Sequence, residues 1–224
     1  MDNLRSIEEL ICPLSGETQH EELWNYRTHL FGFFCSIIGF IYLITHSLHL
    51  VDTTLLWGLL LYGLSQNFVY LSSLIYHKQT NLYKKRMFRL IDHICIYFGL
   101  AGIYSPFLLG PFYQFFGLEM FILLWVLSGL CCFLKMRYFD KFLKFSLVSY
   151  STLFIVFFVY WIFLQNMLTP ECVKFGILSA LFACSGVGFF LWESLPYNHA
   201  IWHIHVLASS ATNFLSILHI GSIP

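Results

Sequence analysis

The sequence predicts an all-α, polytopic membrane protein built as a seven-transmembrane helix bundle, and three observations carry that reading. The 224 residues are 58% hydrophobic and only 11% charged, whereas a soluble domain carries about 25% charged residues. Most of the chain must therefore face something other than water. The apolar residues also gather into seven long runs, at 29–50, 54–77, 88–109, 116–135, 143–164, 173–193 and 198–218. None of the runs alternates in polarity, and each is far longer than the ~10 residues of a membrane strand. A helix satisfies every backbone group within its own segment, and about 20 residues span the hydrocarbon core. Seven spans consume about 140 residues, which leaves no room for a separate soluble domain. The expected division is a cytoplasmic N-terminal segment, 1–27, followed by a transmembrane domain, 28–224.

The basic residues orient the bundle. With seven spans, Arg5, Arg27, Lys78, Lys84, Lys85, Arg86, Arg89, Lys135, Arg137, Lys141 and Lys144 fall on one side and only Lys174 on the other. Cytoplasmic loops carry the excess of Lys and Arg, so the N-terminus is expected inside and the C-terminus outside. The first 20 residues are polar and acidic, without the apolar core of a signal peptide. The formal net charge is zero; it singles out no partner, and no nucleic-acid partner is expected. Seven cysteines occur without a CxxC spacing, and most lie in apolar runs, where they read as small buried hydrophobes.

Ionisable residues inside membrane helices are costly and suspect by default. On this topology His77 ends the second helix, His199 and His203 lie in the first turns of the seventh, Asp92 and His93 lie about one turn into the third, and His29 opens the first. All share the cytoplasmic end. His199 and His203 are spaced i, i+4, which puts both rings on one helix face. Such a pair also arises by chance at membrane interfaces, but His77 at matching depth supplies a third nitrogen. Three nitrogens and an open fourth position form the pattern of a catalytic zinc site. Ser73 shares a face with His77, and Asp92 can accept a hydrogen bond from a ligand histidine or a metal-bound water. The plainer reading of Asp92 is a structural pair with Arg89. His205 points away from His203 and reads as a packing histidine. His46, His49 and His219 lie at the outer ends. Glu22 and Glu193 are expected to be solvated at the interface. Haem is disfavoured, because two histidines one turn apart on one helix cannot take opposite sides of the ring.

Four segments together resemble the hemolysin III family, a branch of the progestin and adipoQ receptor superfamily, itself related to the alkaline ceramidases. Glu22, Asn25, His29 and Gly32 match an E-x2-N-x3-H-x2-G motif, and Ser73 and His77 an S-x3-H motif. RLIDHICIYFGLAGIYSPF at 89–107 is similar to the D-H…A-G-x-Y-x-P-F segment, and His199 and His203 match H-x3-H. The resemblance implies a seven-helix fold with zinc held by His77, His199 and His203, and with Asp92 and Ser73 beside it. Relatives often carry a further His ten residues beyond the second zinc histidine; here Asn213 stands there. The expected function is a zinc-dependent hydrolase of a lipid amide or ester, in a bacterial inner or plasma membrane, with a membrane lipid as substrate or ligand. Zinc on three neutral ligands keeps its charge and lowers the pKa of bound water to about 7. Asp92 would orient or deprotonate that water, and Ser73 would hydrogen-bond it or the developing oxyanion. The alternatives are a receptor or regulator in which zinc ties two helices together, and a pore-forming hemolysin-like protein.

Overall fold

The computed structural model describes residues 11–47, 52–138 and 143–220, and all regular structure among them is helical. Seven long helices follow one another: α1 Gln19–Ser47, α2 Thr53–Lys78, α3 Leu82–Leu109, α4 Leu118–Arg137, α5 Leu143–Leu164, α6 Pro170–Leu191 and α7 Asn198–Leu218. Side-chain caps set several starts. The Asp52 carboxylate accepts from the Thr54 and Leu55 amides, Asn81 accepts from Lys84, and Thr169 from Cys172 just ahead of Pro170, each satisfying a donor the first turn leaves open.

Six of the seven helices are long and apolar enough to cross a membrane, α4 being counted with the π-turn Tyr113–Gly117 before it. The seven-span expectation is met for six helices, and α2 is not among them. The interior of α2 carries Ser65, Gln66, Asn67, Ser72 and Ser73. Ser65 and Ser72 donate to the Tyr62 and Val69 carbonyls of α2 itself, and others are met by neighbouring helices. Gln66 Nε2 donates to the Gly99 carbonyl of α3 at 3.1 Å, Ser36 of α1 donates to Asn67 at 3.0 Å, and Tyr70 donates to Ser210 of α7 at 2.8 Å. Polar side chains inside a membrane bundle face its interior and pair there, and α2 is packed on both α1 and α3.

The α2–α3, α6–α7 and α1–α2 pairs are the most extensive packings. The Thr54 hydroxyl donates to Leu109 O at 2.8 Å and Thr169 to His219 O at 2.6 Å. The start of α2 therefore meets the end of α3, and the start of α6 meets the end of α7. Small residues let α2 and α3 approach closely: a Cβ on Gly58 would sit 2.8 Å from Ser105 O and 2.9 Å from the Pro106 Cα. At one end of the bundle lie the start of α1, the end of α2 and the start of α7; His46 and His219 lie at the other. His49 is outside the described residues.

Two helices begin earlier than their apolar runs. α1 starts at Gln19 and α3 at Leu82, so His29 sits ten residues into α1 and Asp92 ten residues into α3. Their first turns, QHEELWNYRT and LYKKRMFR, are charged and aromatic, and a search for apolar runs passes over them.

Candidate metal centre

The site is built from α1, α2, α3 and α7. On α1 the buried residues Glu22, Asn25, His29 and Gly32 recur at helical spacing and form one inward stripe. On α2 Ser73 and His77 are buried at 2% and 5% exposure. Where α7 begins is fixed by Tyr197, whose φ of 59° is left-handed, an uncommon conformation for a bulky residue. Its amide donates to Glu21 Oε1 at 3.0 Å and its hydroxyl meets His20 Nδ1 at 2.8 Å. Those two contacts dock the start of α7 against α1 and hold His199 in the first turn of α7.

His77, His199 and His203 come together. Each offers a ring nitrogen, and the three nitrogens lie within 4.8 Å of one another, a group that could hold a metal ion. The ring centroids stand 5.1, 5.1 and 4.6 Å apart, with the planes 72–88° to one another. The outer nitrogen of each ring is already engaged. His77 Nδ1 meets Glu22 Oε2 at 2.8 Å, and His199 Nδ1 meets Glu17 Oε1 at 2.9 Å. His203 Nδ1 meets Asn25 O at 3.3 Å and Thr28 Oγ1 at 3.1 Å. The Thr28 hydroxyl donates to the Trp24 and Asn25 carbonyls, so it accepts from the histidine. Carboxylates and carbonyls only accept, so in all three rings Nδ1 carries the proton and Nε2 keeps the lone pair. His77 Nε2 is buried without a hydrogen-bond partner. A metal-ligating histidine is held in this manner, its far N–H on a carboxylate or carbonyl, and neutral imidazole suits zinc and its neighbours. The residues fit such an ion.

Asp92 is half-buried, with His199, Ser73, Arg89 and Ser72 as its polar neighbours. The Arg89 guanidinium is held by a different group: its Nη1 donates to the Leu14 carbonyl at 2.7 Å. His205 turns to α6, packs on Phe189 at 4.8 Å and donates to Ile201 O at 2.8 Å, as its spacing from His203 requires. Glu193 is exposed.

The expectation that Glu22 is solvated is overturned. It is 8% exposed, and its carboxylate takes His77, Lys85 Nζ at 2.8 Å and the Ser15 hydroxyl at 2.6 Å. Two cations or donors and a hydroxyl replace its water, which is the condition for burying a charge. Reading Glu22, Asn25 and His29 as one helix face would have found it. His29 stacks on His203 with centroids 3.6 Å apart. Glu17 and Lys85 carry no local signal, because each acts on a residue from a distant part of the chain.

Comparison with known proteins identifies the family. The family description "Haemolysin-III related" matches residues 17–214, a stretch that contains every residue of the cluster. The chain is 32% identical over 198 residues to Hemolysin-3 of Bacillus cereus, covering 88% of this chain and 90% of that one. It is 29% identical over 201 residues to the Hemolysin-3 homolog of Bacillus subtilis, at 90% and 94% coverage. It is also 25% identical over 219 residues to the human Monocyte to macrophage differentiation factor, at 92% and 88%. No solved structure matches. With most of its length inside that family's span and six apolar helices of membrane-crossing length, the chain is an integral membrane protein of the haemolysin-III related family.

Proposed function

We propose that this protein is a zinc-dependent, membrane-embedded hydrolase of a lipid amide or ester, with zinc on His77, His199 and His203. The observation that carries the reading is the state of the three rings: each has its Nδ1–H on an acceptor, which leaves Nε2 as the lone-pair nitrogen, and a ring nitrogen from each converges within 4.8 Å of the others. When bound, the ion supplies Lewis-acid polarisation and acidifies water. The chain's own residues do the rest. Glu22, Glu17 and the Asn25 carbonyl hold the rings in one tautomer. Asp92 receives a proton at its carboxylate, beside His199. Ser73, buried against Asp92, donates its hydroxyl to the oxygen on which charge develops.

An apolar crevice of about 50 Å³ between α3, α5, α6 and α7 is lined by Tyr104, Phe107, Phe157, Trp161 and Asn213. It lies ten residues along α7 from His203, about 15 Å; the support for a lipid-borne substrate is the position of the site within a bundle of membrane-crossing helices. The reading keeps residues 1–27 and the site in the cytoplasm and the C-terminus outside, on the asymmetry of the basic residues. A cytoplasm-only reporter fused to Pro224 should then be silent.

A second reading is a receptor or regulator in which the metal only ties α2 to α7. It is favoured by the weak direct packing of those two helices. Metal analysis of the purified wild type and of His203→Ala, followed by lipid-amide and lipid-ester turnover, separates the two. Metal near one per chain without turnover of either lipid class supports the structural tie; absence of metal from the wild type removes both.

A further inference from the structure

The segment Cys12–Thr18 lies beside the histidine cluster, and its Glu17 and Ser15 side chains are anchored on groups of that site. Glu17 Oε1 takes His199 Nδ1 at 2.9 Å, and Glu17 Oε2 takes the Asn25 amide. The Ser15 hydroxyl donates to Glu22, the carboxylate that holds His77. The Leu14 carbonyl accepts from Arg89, one turn before Asp92. The strap closes on itself through Cys12 N to Glu17 O and Gly16 N to Cys12 O, both 2.8 Å, and Gly16 supplies the left-handed φ of 78° that this turn needs. Its far end is locked to α1. The Thr18 hydroxyl accepts from the Glu21 amide, and the Glu21 carboxylate accepts from the Thr18 amide, the reciprocal arrangement of a capping box.

We infer that Glu17 is a positioning residue through which docking of this strap and occupancy of the metal centre are coupled. The inference rests on the metal reading of the three histidines and adds a regulatory element to it. Of the four ring-holding acceptors, Glu22, the Asn25 carbonyl and the Thr28 hydroxyl belong to α1 and cannot leave without unwinding a helix. Glu17 alone belongs to a short turn held by a few hydrogen bonds. His199 is also the more open of the two carboxylate-held histidines, its side chain 26% exposed against 0% for His77. When the strap lifts, His199 loses the acceptor that fixes its tautomer and its ring orientation, while His77 and His203 keep theirs. Coupling of this kind is reciprocal: if the docked strap raises metal affinity by some factor, the metal favours the docked strap by the same factor.

Two measurements on the full chain in detergent test this. The first is zinc affinity by chelator competition in Glu17→Ala and Glu17→Gln. Loss of the acceptor in Glu17→Ala should weaken zinc by about 10–100-fold. Glu17→Gln should recover most of that, since its carbonyl accepts from His199 and its amide meets Asn25, whose own Oδ1 has no partner at present. The second is the rate at which a maleimide modifies Cys12, read by mass spectrometry on the peptide that carries it. Cys12 is half-buried within the strap turn. Zinc should slow its modification in the wild type and leave the rate unchanged in Glu17→Ala. In metal-free protein, His199→Ala should speed it.

Wild-type zinc affinity in Glu17→Ala, or a Cys12 rate indifferent to zinc in a wild type that binds it, would overturn the coupling. A wild type that binds no zinc sinks the metal reading instead. The metal-free comparison of His199→Ala with wild type then decides whether Glu17 holds the strap at all.

Discussion

Helices α2 and α5 are close in length, 26 and 22 residues, and sit in the bundle in opposite ways. Along α5 the buried residues are Ser146, Ser149, Leu153, Phe157 and Trp161, one stripe at helical spacing, while Val148, Ile155, Val159 and Ile162 are exposed. That helix turns one face to its neighbours and the rest outward. Along α2 twelve residues are buried, among them Ser65, Gln66, Ser72, Ser73 and His77. Polar groups that would be ruinous against lipid are paired there, Gln66 with α3, His77 with α1 and Tyr70 with α7, while Ser65 and Ser72 bond back to α2 carbonyls. The difference lies in where polar side chains stand: α2 buries them among its neighbours, while α5 turns an apolar face outward.

The largest effects are expected at the histidine cluster. His203→Ala should remove most of the bound zinc, and with it any hydrolysis, while His205→Ala, whose ring lies among α6 aromatics, should leave both intact. Zinc lost from His205→Ala and kept in His203→Ala would mean that α7 is turned the other way. Asp92→Asn should act on turnover and not on binding. Zinc should stay bound, since three histidines already fill the protein's share of a catalytic site. Turnover should fall about 10²–10⁴-fold, the usual loss with a general base. Zinc content and thermal stability falling together would instead make Asp92 a structural residue of α3.

Glu22→Ala tests the interior electrostatics. Lys85, 2% exposed, would keep its charge without a carboxylate, and the His77 N–H would lose its acceptor. Breaking a buried pair from one side costs about 3–5 kcal/mol, so the transition temperature should fall well below that of Glu193→Ala, which removes an exposed carboxylate. Equal transition temperatures would put Glu22 back in solvent.

Much of this was legible in the sequence, and the failures have physical causes. The apolar runs locate all seven helices, and the i, i+4 pair His199/His203 with His77 at equal depth names the group whose nitrogens converge. The starts of α1 and α3 were not legible, because their first turns are charged and aromatic and run beyond the apolar stretch. Burial of Glu22 was written in its spacing to Asn25 and His29, although a carboxylate near an interface reads as solvated when its partners are unknown. Glu17 had no such pattern. Its partner His199 lies near the other end of the chain, and only the folded turn at Gly16 aims it there.

The smallest expected effect separates the two kinds of helix surface without touching the site. Gly58 on α2 faces α3 so closely that a Cβ would meet backbone atoms, Ser105 O at 2.8 Å and the Pro106 Cα at 2.9 Å. Backbone cannot step aside as a side chain does, so α2 and α3 must separate, and overpacking of this kind costs about 1–3 kcal/mol. Gly129 on α4 has nothing within 4 Å of the same added atom. There the methyl group meets no protein, and alanine is the better helix former by roughly 1 kcal/mol. Gly58→Ala should therefore lower the transition temperature of the purified protein, and Gly129→Ala should leave it unchanged or raise it slightly. The two substitutions are the same chemically and both sit within helices, so propensity alone predicts equal effects. A loss of stability in Gly129→Ala matching that in Gly58→Ala would mean that α4 packs against a further surface. The difference between the closely packed α2 and a lipid-facing helix would then have to be drawn elsewhere.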